Sequence, residues 1–385
     1  MNPEKQPHYQ VNWIDGMKIN KQHFIESENA AVRNSQLAAA AQINSYNYGL
    51  LPNIGATNAL ELDVNLDGQN TVVVQLKHCK AITKAGYNVH ITPDIAEALV
   101  KSGNSIDTSL STKDSDGSYY VVLSVNPFER IPLGEANPDE EPVRHPFVIP
   151  QYQMHIVDEN DANTDEFGAY HISLGKIDVI DGKASVNEDY IPPCTCIESH
   201  EDLKYIFSEI HTFFNVLENY NMNIIQKIYQ KKQTNDMARM VMTISQAVVQ
   251  YLGGMLPDYR LTASGQSPIH MISKIMSLSR VIKNNIDVYV GTGKEELLNY
   301  LSDWCDLNQG AFENVLIEMI ELNYQHNDIN KSLLYVSNFT KLMASLFKKL
   351  NELDYIGKKS DSNIFVKEEV IAKPEVKKRR SFLLD

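Results

Sequence analysis

Cysteine is scarce in this chain, with four in 385 residues, at Cys79, Cys194, Cys196 and Cys305. Only Cys194 and Cys196 are close in sequence, and a CxC pair is too tight for an ordinary disulfide. There is no CxxC and no second Cys/His pair at zinc-ligand spacing, which argues against both a disulfide framework and a zinc finger. Four free thiols in a reducing compartment are expected. Long apolar runs are missing too. The opening MNPEKQPHYQVNW lacks the hydrophobic stretch of a signal peptide, and no segment approaches the roughly 20 apolar residues that span a bilayer. A cytoplasmic protein is expected, in which the sequon Asn338-Phe339-Thr340 has no meaning. Positive charge is in deficit: 35 Lys and Arg against 49 Asp and Glu leave a net charge of −14. A phosphate polyanion is repelled by such a surface, so general nucleic-acid binding is not expected.

Catalytic signatures are absent as well. Gly291-Thr292-Gly293-Lys294 looks like the end of a phosphate-binding loop, but Val288 stands where GxxxxGK[ST] needs glycine and Glu295 where it needs Ser or Thr. A turn between helices explains both glycines. His200-Glu201 begins like HExxH, yet Lys204 occupies the second histidine position. His78, Cys79 and His90 can be drawn as a metal site, but histidines satisfied within strands explain them more simply. No GxSxG occurs. Asp139-Glu140-Glu141 and Asp158-Glu159 fall in turn-like loops and read as solvated acids. No enzyme, cofactor, metal or small-molecule substrate is expected.

With 43% hydrophobic and 22% charged residues the chain is globular, and its length calls for more than one domain. Its character changes at Pro192-Pro193. Before that point, short β-rich runs (71–76, 119–125, 153–157) alternate with turn signals at Asp67-Gly68, Asp116-Gly117 and Asp181-Gly182. Residues 169–180 and 183–186 predict a hairpin closed by Asp181-Gly182. An alanine-rich helix without Gly or Pro is expected over 22–46, and the proline-rich, acidic stretch 134–146 reads as an exposed loop. After Pro193 the pattern is helical. Leu203, Ile206, Ile210, Phe213, Leu217, Tyr220 and Ile224 alternate three and four apart as a coiled-coil seam. Phe207, Phe214 and Ile225 widen this stripe. Val336, Phe339, Met343, Leu346, Leu350 and Leu353 repeat the alternation.

Between them lie amphipathic stretches at 237–252, 269–282 and 294–323. They are separated by Gly253-Gly254 with Pro257, by Asn284-Asn285, and by Gly291 and Gly293; Ser267-Pro268 marks a helix start. The predicted class is α+β. A β-sandwich over 1–192 with one early helix precedes an antiparallel helical bundle over 193–357, whose core is either purely internal or also a self-association seam. Residues 358–385 form a polar tether ending in a basic and apolar motif, Lys377, Lys378, Arg379, Arg380, Phe382 and Leu383.

The segment Trp13-Ile14-Asp15-Gly16-Met17-Lys18-Ile19-Asn20-Lys21-Gln22-His23-Phe24 resembles the opening W-x-E-G-M-x-L-x-P-Q-H-F of the type VI secretion baseplate subunit family TssK. Asp15 stands for the acid, Ile19 for the apolar residue, and Lys21 replaces the proline. Further likenesses follow in order. Tyr48-Gly49-Leu50 resembles Y-G-[LIV], Asp189-Tyr190-Ile191-Pro192-Pro193 resembles D-x-x-Y-I-P-P, Ser267-Pro268-Ile269-His270 falls where the family has a His-Pro helix start, and Tyr324-Gln325-His326-Asn327-Asp328 resembles Y-D-H-x-D. The resemblance implies a homotrimer whose β-sandwich shoulder binds the wedge proteins TssF and TssG. It implies a helical neck that holds the trimer, and an adaptor role between baseplate and membrane complex at the cytoplasmic face of the inner membrane.

The sequence departs from the family in reaching only the polar tail where a head domain is expected. That suggests a divergent, head-less form of Bacteroidetes type, with the tail as the docking element. Trp13, Gly16, Met17, His23 and Phe24 are expected to anchor the first strand and helix, by core packing or by touching a partner. A phage-type receptor-binding or fibre-adaptor protein shares the same logic and is the alternative.

Overall fold

The computed structural model describes residues 8–52, 58–67, 71–112, 116–161, 167–305 and 307–357. They form two compact units. One comprises the chain up to Glu201 together with Gln325–Asn330; the other comprises Asp202–Tyr324 and the chain from Lys331 onward. The first unit thus runs past Pro192-Pro193 and takes a six-residue segment from much later in the chain, which a simple division at residue 192 does not contain. Among the described residues no helix is long and apolar enough to cross a membrane.

The first unit carries two antiparallel sheets. In one, β3 (Thr71–Ile82) pairs with β1 (Gly49–Leu50), β2 (Leu60–Asp67), β4 (Asn88–Ile91) and β5 (Asp107–Ser111). Its β-branched run alternates as a half-buried strand should: Val72, Val74 and Leu76 point inward, and the phase then shifts to Cys79 and Ala81. The shift coincides with a bulge, where Glu61 faces His78 but Leu62 faces Leu76. The second sheet has the order β7 (Phe147–Asp158), β6 (Gly117–Leu133), β8 (His171–Ile180), β9 (Lys183–Val186). Central β6 is buried without a break from Tyr119 to Leu123, as a strand covered on both faces requires. The sheets face each other where Gly175 of β8 admits Leu62 of β2; a Cβ there would lie 3.1 Å from the leucine methyl.

The hairpin β8–β9 closes as expected at Asp181 and Gly182, with φ of 51° and 69°. The runs 119–125 and 153–157 are the inner parts of longer strands, because a bulge between Asn126 and Arg130 lets β6 and β7 continue as a ribbon to Leu133 and Phe147. Gly68 lies outside the described residues.

Among the described residues, the α-helices α1 (Lys21–Ala40) and α2 (Pro93–Lys101) lie within this unit. The helix α1 stops short of residue 46 because asparagine side chains take over the backbone groups. Asn44 N–H donates to Asn47 Oδ1 (2.6 Å), and Asn47 Nδ2 donates to Gln42 O (2.9 Å). Its last turns lie against Gly86, in the turn between β3 and β4.

The second unit is helical: α3 (Glu201–Gln230), α4 (Asp236–Thr262), α5 (Pro268–Asp287), α6 (Lys294–Asp303), α7 (Gln309–Ile320) and α8 (Ile329–Glu352), α3 and α8 beginning in the first unit. Two expected breaks do not occur where expected, and one unexpected break appears. The helix α4 continues through Gly253, Gly254 and Pro257, since its far end is held by Tyr259, which stacks on Phe207 at 4.5 Å and donates to Phe207 O. Asn285 does not end α5; its Nδ2 bonds back to Val281 O within the helix. The stretch 294–323 is two helices, because Asn308 caps α7 by accepting from Ala311 N–H. Pro268 opens α5 as expected. Leu203, Ile206, Ile210, Phe213, Leu217 and Ile224 are at most 5% exposed in the single chain, and Tyr220 is partly buried. These side chains are thus covered within the single chain.

A Cβ on Gly86 would lie 2.5 Å from Gln36 O and 2.8 Å from Ala40 N, at a φ of +77°. Gly86→Ala is therefore expected to loosen the end of α1 and cost roughly 2–3 kcal/mol, measured by urea unfolding. Unchanged stability would show that α1 does not bear on this turn.

Candidate partner-binding site

Three of the resembling motifs meet in the first unit. Asn327 and Asp328, from the late segment, sit among three tyrosines. Tyr48 O–H donates to Asn327 Oδ1 (2.7 Å) and Tyr190 O–H donates to Asn327 O (2.6 Å). Because a carbonyl can only accept, the Tyr190 proton is committed there, and Ser173 donates to the phenol oxygen across 2.7 Å. Tyr120 O–H lies 3.1 Å from Asp328 Oδ2 and 3.2 Å from Glu159 Oε1. The ammonium of Lys176 completes the group, 2.8 Å from Glu159, 3.9 Å from Asp328 and 5.3 Å from the Tyr120 ring centroid. Burial holds the Tyr190 phenol far above its ordinary range. Burial, then the charges of Asp328 and Glu159, do the same for Tyr120. Both remain neutral donors.

Gly49 explains the middle of its own motif. A Cβ there would fall 2.0 Å from Pro193 O, at a φ of +105°. Leu50 N–H donates to that same carbonyl (2.7 Å), and Thr195 N–H returns to Leu50 O (2.9 Å). The motifs around Tyr48, Tyr190 and Asp328 are thus parts of one buried hydrogen-bonded structure.

The opening motif behaves differently. His8 is stacked on Phe128 at 3.8 Å, and burial, with the nearby Arg33 charge, lowers its pKa. Residues 9–19 then run outside any helix or strand. Gly16 takes a φ of +78° in a turn where Met17 N–H donates to Ile14 O. Asn20 caps α1 by accepting from Gln22 and His23 N–H, and His23 Nδ1 accepts from Asn20 N–H (3.3 Å). His23 is therefore a capping-box residue, and Lys21 stands at the first helical position, where proline is also well suited.

Trp13 leans on the rings of His23 and Phe24, at 6.1 and 6.3 Å. Yet Trp13 is 48% exposed, Phe24 56%, Ile14 63% and Tyr9 79%. The core-packing expectation for Trp13 and Phe24 is corrected: they form an apolar surface. Between this arm and α1 lies a groove of about 610 Å³, lined by His8, Gln10, Asn12, Met17, Gln22 and Asn29 among others.

The remaining candidates do not assemble. Lys294, the lysine of the glycine-rich turn, is paired with Asp287 (2.6 Å) and Glu313 (2.9 Å), beside Lys283. Cys79 points to the opposite side of β3 from His78, and burial pushes its thiol up to about 12. No group of three potential metal ligands occurs among the described residues. All four cysteines are free. Lys377, Lys378, Arg379, Arg380, Phe382 and Leu383 lie outside the described residues. Sequence reasoning missed Tyr120, whose partners Glu159 and Asp328 are far away in the chain.

His326 N–H (Nε2) donates to Tyr48 O at 2.8 Å, and burial lowers its pKa from 6.5 to about 4. The unfolded chain therefore takes up this proton first on acidification. Stability conferred by the neutral ring is present above about pH 6.5 and is lost as the pH falls toward 4, on the order of 3 kcal/mol in all. Urea unfolding between pH 7 and 4 is expected to show this fall and His326→Gln to flatten it. A wild-type profile as flat as the variant's would refute the assignment.

No family model matches the chain, and no curated protein matches it. Solved structures are similar at low identity. A crystal structure of TssK shares 13% identity, covers 87% of this chain and 70% of its own, and gives a TM-score of 0.47. TssK from the type VI secretion system of EAEC, in complex with a nanobody, shares 10% over 83% of this chain and 97% of its own, with a TM-score of 0.44. A chain of the type VI secretion baseplate complex shares 13% over 89% and 99%, with a TM-score of 0.47.

Proposed function

We propose that this protein is a non-enzymatic structural subunit of a type VI secretion baseplate, of the TssK kind, and that its exposed N-terminal arm receives the wedge proteins TssF and TssG. The observation that carries the reading is the division of the shared motifs. Those around Tyr48, Tyr190 and Asp328 are consumed in holding the β unit together, whereas Trp13 and Phe24 of the opening motif are left on the surface. Large apolar side chains clustered in the open cost solubility and commonly mark a protein–protein contact.

Self-association as a trimer belongs to the same reading. With the inner seam of α3 used up, the neck contact falls to its outer face, where Tyr205, Met222 and Tyr229 are exposed at heptad-compatible spacing. The tail is assigned to the membrane-side partner. Its point of departure is fixed in the helical unit, where Asn235 Nδ2 donates to Ile356 O and Gly357 N–H donates to Tyr300 Oη.

Trp13→Ala and Phe24→Ala are expected to leave the melting temperature nearly unchanged and to weaken capture of co-expressed TssF and TssG by about tenfold or more, since each removes an exposed aromatic anchor. A double variant that still assembles normally would count against the arm; capture of a cell-surface glycan instead of wedge proteins would favour a receptor-binding protein. Light scattering of the full chain at micromolar concentration is expected to give a trimer, and a stable monomer would remove the neck assignment.

A further inference from the structure

The arm offers more than aromatic side chains. Among the described residues, the main chain of residues 9–12 makes no hydrogen bond to any other backbone group, and it belongs to no strand. It is nevertheless held at both ends, by the stack of His8 on Phe128 and by the cap that Asn20 places on α1. The groove beside it is lined by carboxamides. Gln10, Asn12, Gln22 and Asn29 all border it, and among the described residues only Gln22 of these is engaged, donating to Glu26 at 3.3 Å. A carboxamide offers a carbonyl acceptor and N–H donors, the same kinds of group as a peptide (which has one N–H to the carboxamide's two), and reads a main chain regardless of its side chains. Exposed apolar side chains follow directly on its lining residues in the chain, Trp13 and Ile14 after Asn12 and Phe24 after His23.

Resting on the wedge-docking reading above, we infer that residues 9–12 take up one extended segment of the partner by main-chain pairing, as an added strand whose apolar side chains lodge against Trp13 and Phe24. Open backbone tied at both ends loses little further freedom on pairing. Bonds to main chain supply affinity, while the flanking rings supply selectivity. A second copy of this chain is the less suitable occupant, because the arm it would bring is itself tied at both ends, by His8 on Phe128 and by the Asn20 cap.

The test uses the full-length protein with co-expressed TssF and TssG. Amide hydrogen exchange at residues 9–12 is expected to slow by roughly tenfold or more in the complex, as newly paired amides do. Proline at Gln10 or at Val11 removes one donor, and since successive strand amides point to opposite sides, one of the two variants is expected to weaken binding by about tenfold. Val11→Ala keeps the donor and is expected to change binding by less than about threefold. The exchange readout does not depend on how the variants fold.

If the complex forms while residues 9–12 exchange as fast as in the free protein, or if Val11→Ala is as damaging as the prolines, main-chain pairing is wrong and wedge docking stands. If the wild-type protein forms no complex with TssF and TssG, the docking reading itself fails and takes this inference with it. Protection that rises with the concentration of this chain alone would assign the groove to a second copy and overturn the choice of partner.

Discussion

Hydrogen bonds from three buried tyrosines to residues 327 and 328 are what the β unit is assembled around. Tyr48 and Tyr190 spend their protons on the two oxygens of Asn327, and Tyr120 sits between Asp328 and Glu159. A buried phenol, carboxylate or ammonium without a partner costs more than its hydrogen bond returns, so a network of this kind is stable only when every member is present. The other local features follow from it. Gly49 must lack a side chain for the chain at Leu50 to meet Pro193. Ile329 N–H reaches Ile191 O directly after the network, which ties the start of α8 to the exit of the β-rich segment.

The same residue types do opposite things in the arm. Trp13 and Phe24 touch each other but leave about half their surface in water. Local chemistry fully accounts for the polar members of that motif: Gly16 makes a turn, and Asn20 with His23 closes the first turn of α1. Nothing local accounts for the aromatics. These exposed rings are the surface on which the docking proposed above rests.

In the helical unit, carboxylates neutralise the lysine of the glycine-rich turn. Lys283, Asp287, Lys294 and Glu313 neutralise one another across the turn between α5 and α6. Bonds to Asp287 and Glu313 raise the lysine pKa values there. Gly291 and Gly293, with φ of 77° and 125°, shape the turn. The lysine is held as a structural cation.

Periodicity and turn chemistry were readable from the residues alone. The alternation along β3, the Asp181-Gly182 hairpin, the proline start of α5 and the apolar stripes of α3 and α8 each depend on neighbours within a few positions, and each was legible. Breaks at Pro257 and Asn285 were misread because distant or back-bonding contacts override weak local preference: Tyr259 on Phe207 in one case, a side-chain bond to Val281 in the other. Only the tertiary structure decided that the α3 seam is internal, that the motifs around residues 48, 190 and 326 are one object, and that the first motif is exposed. Burial is a property of what lies across from a residue, and for these residues that is chain more than a hundred positions away, or no part of the described chain.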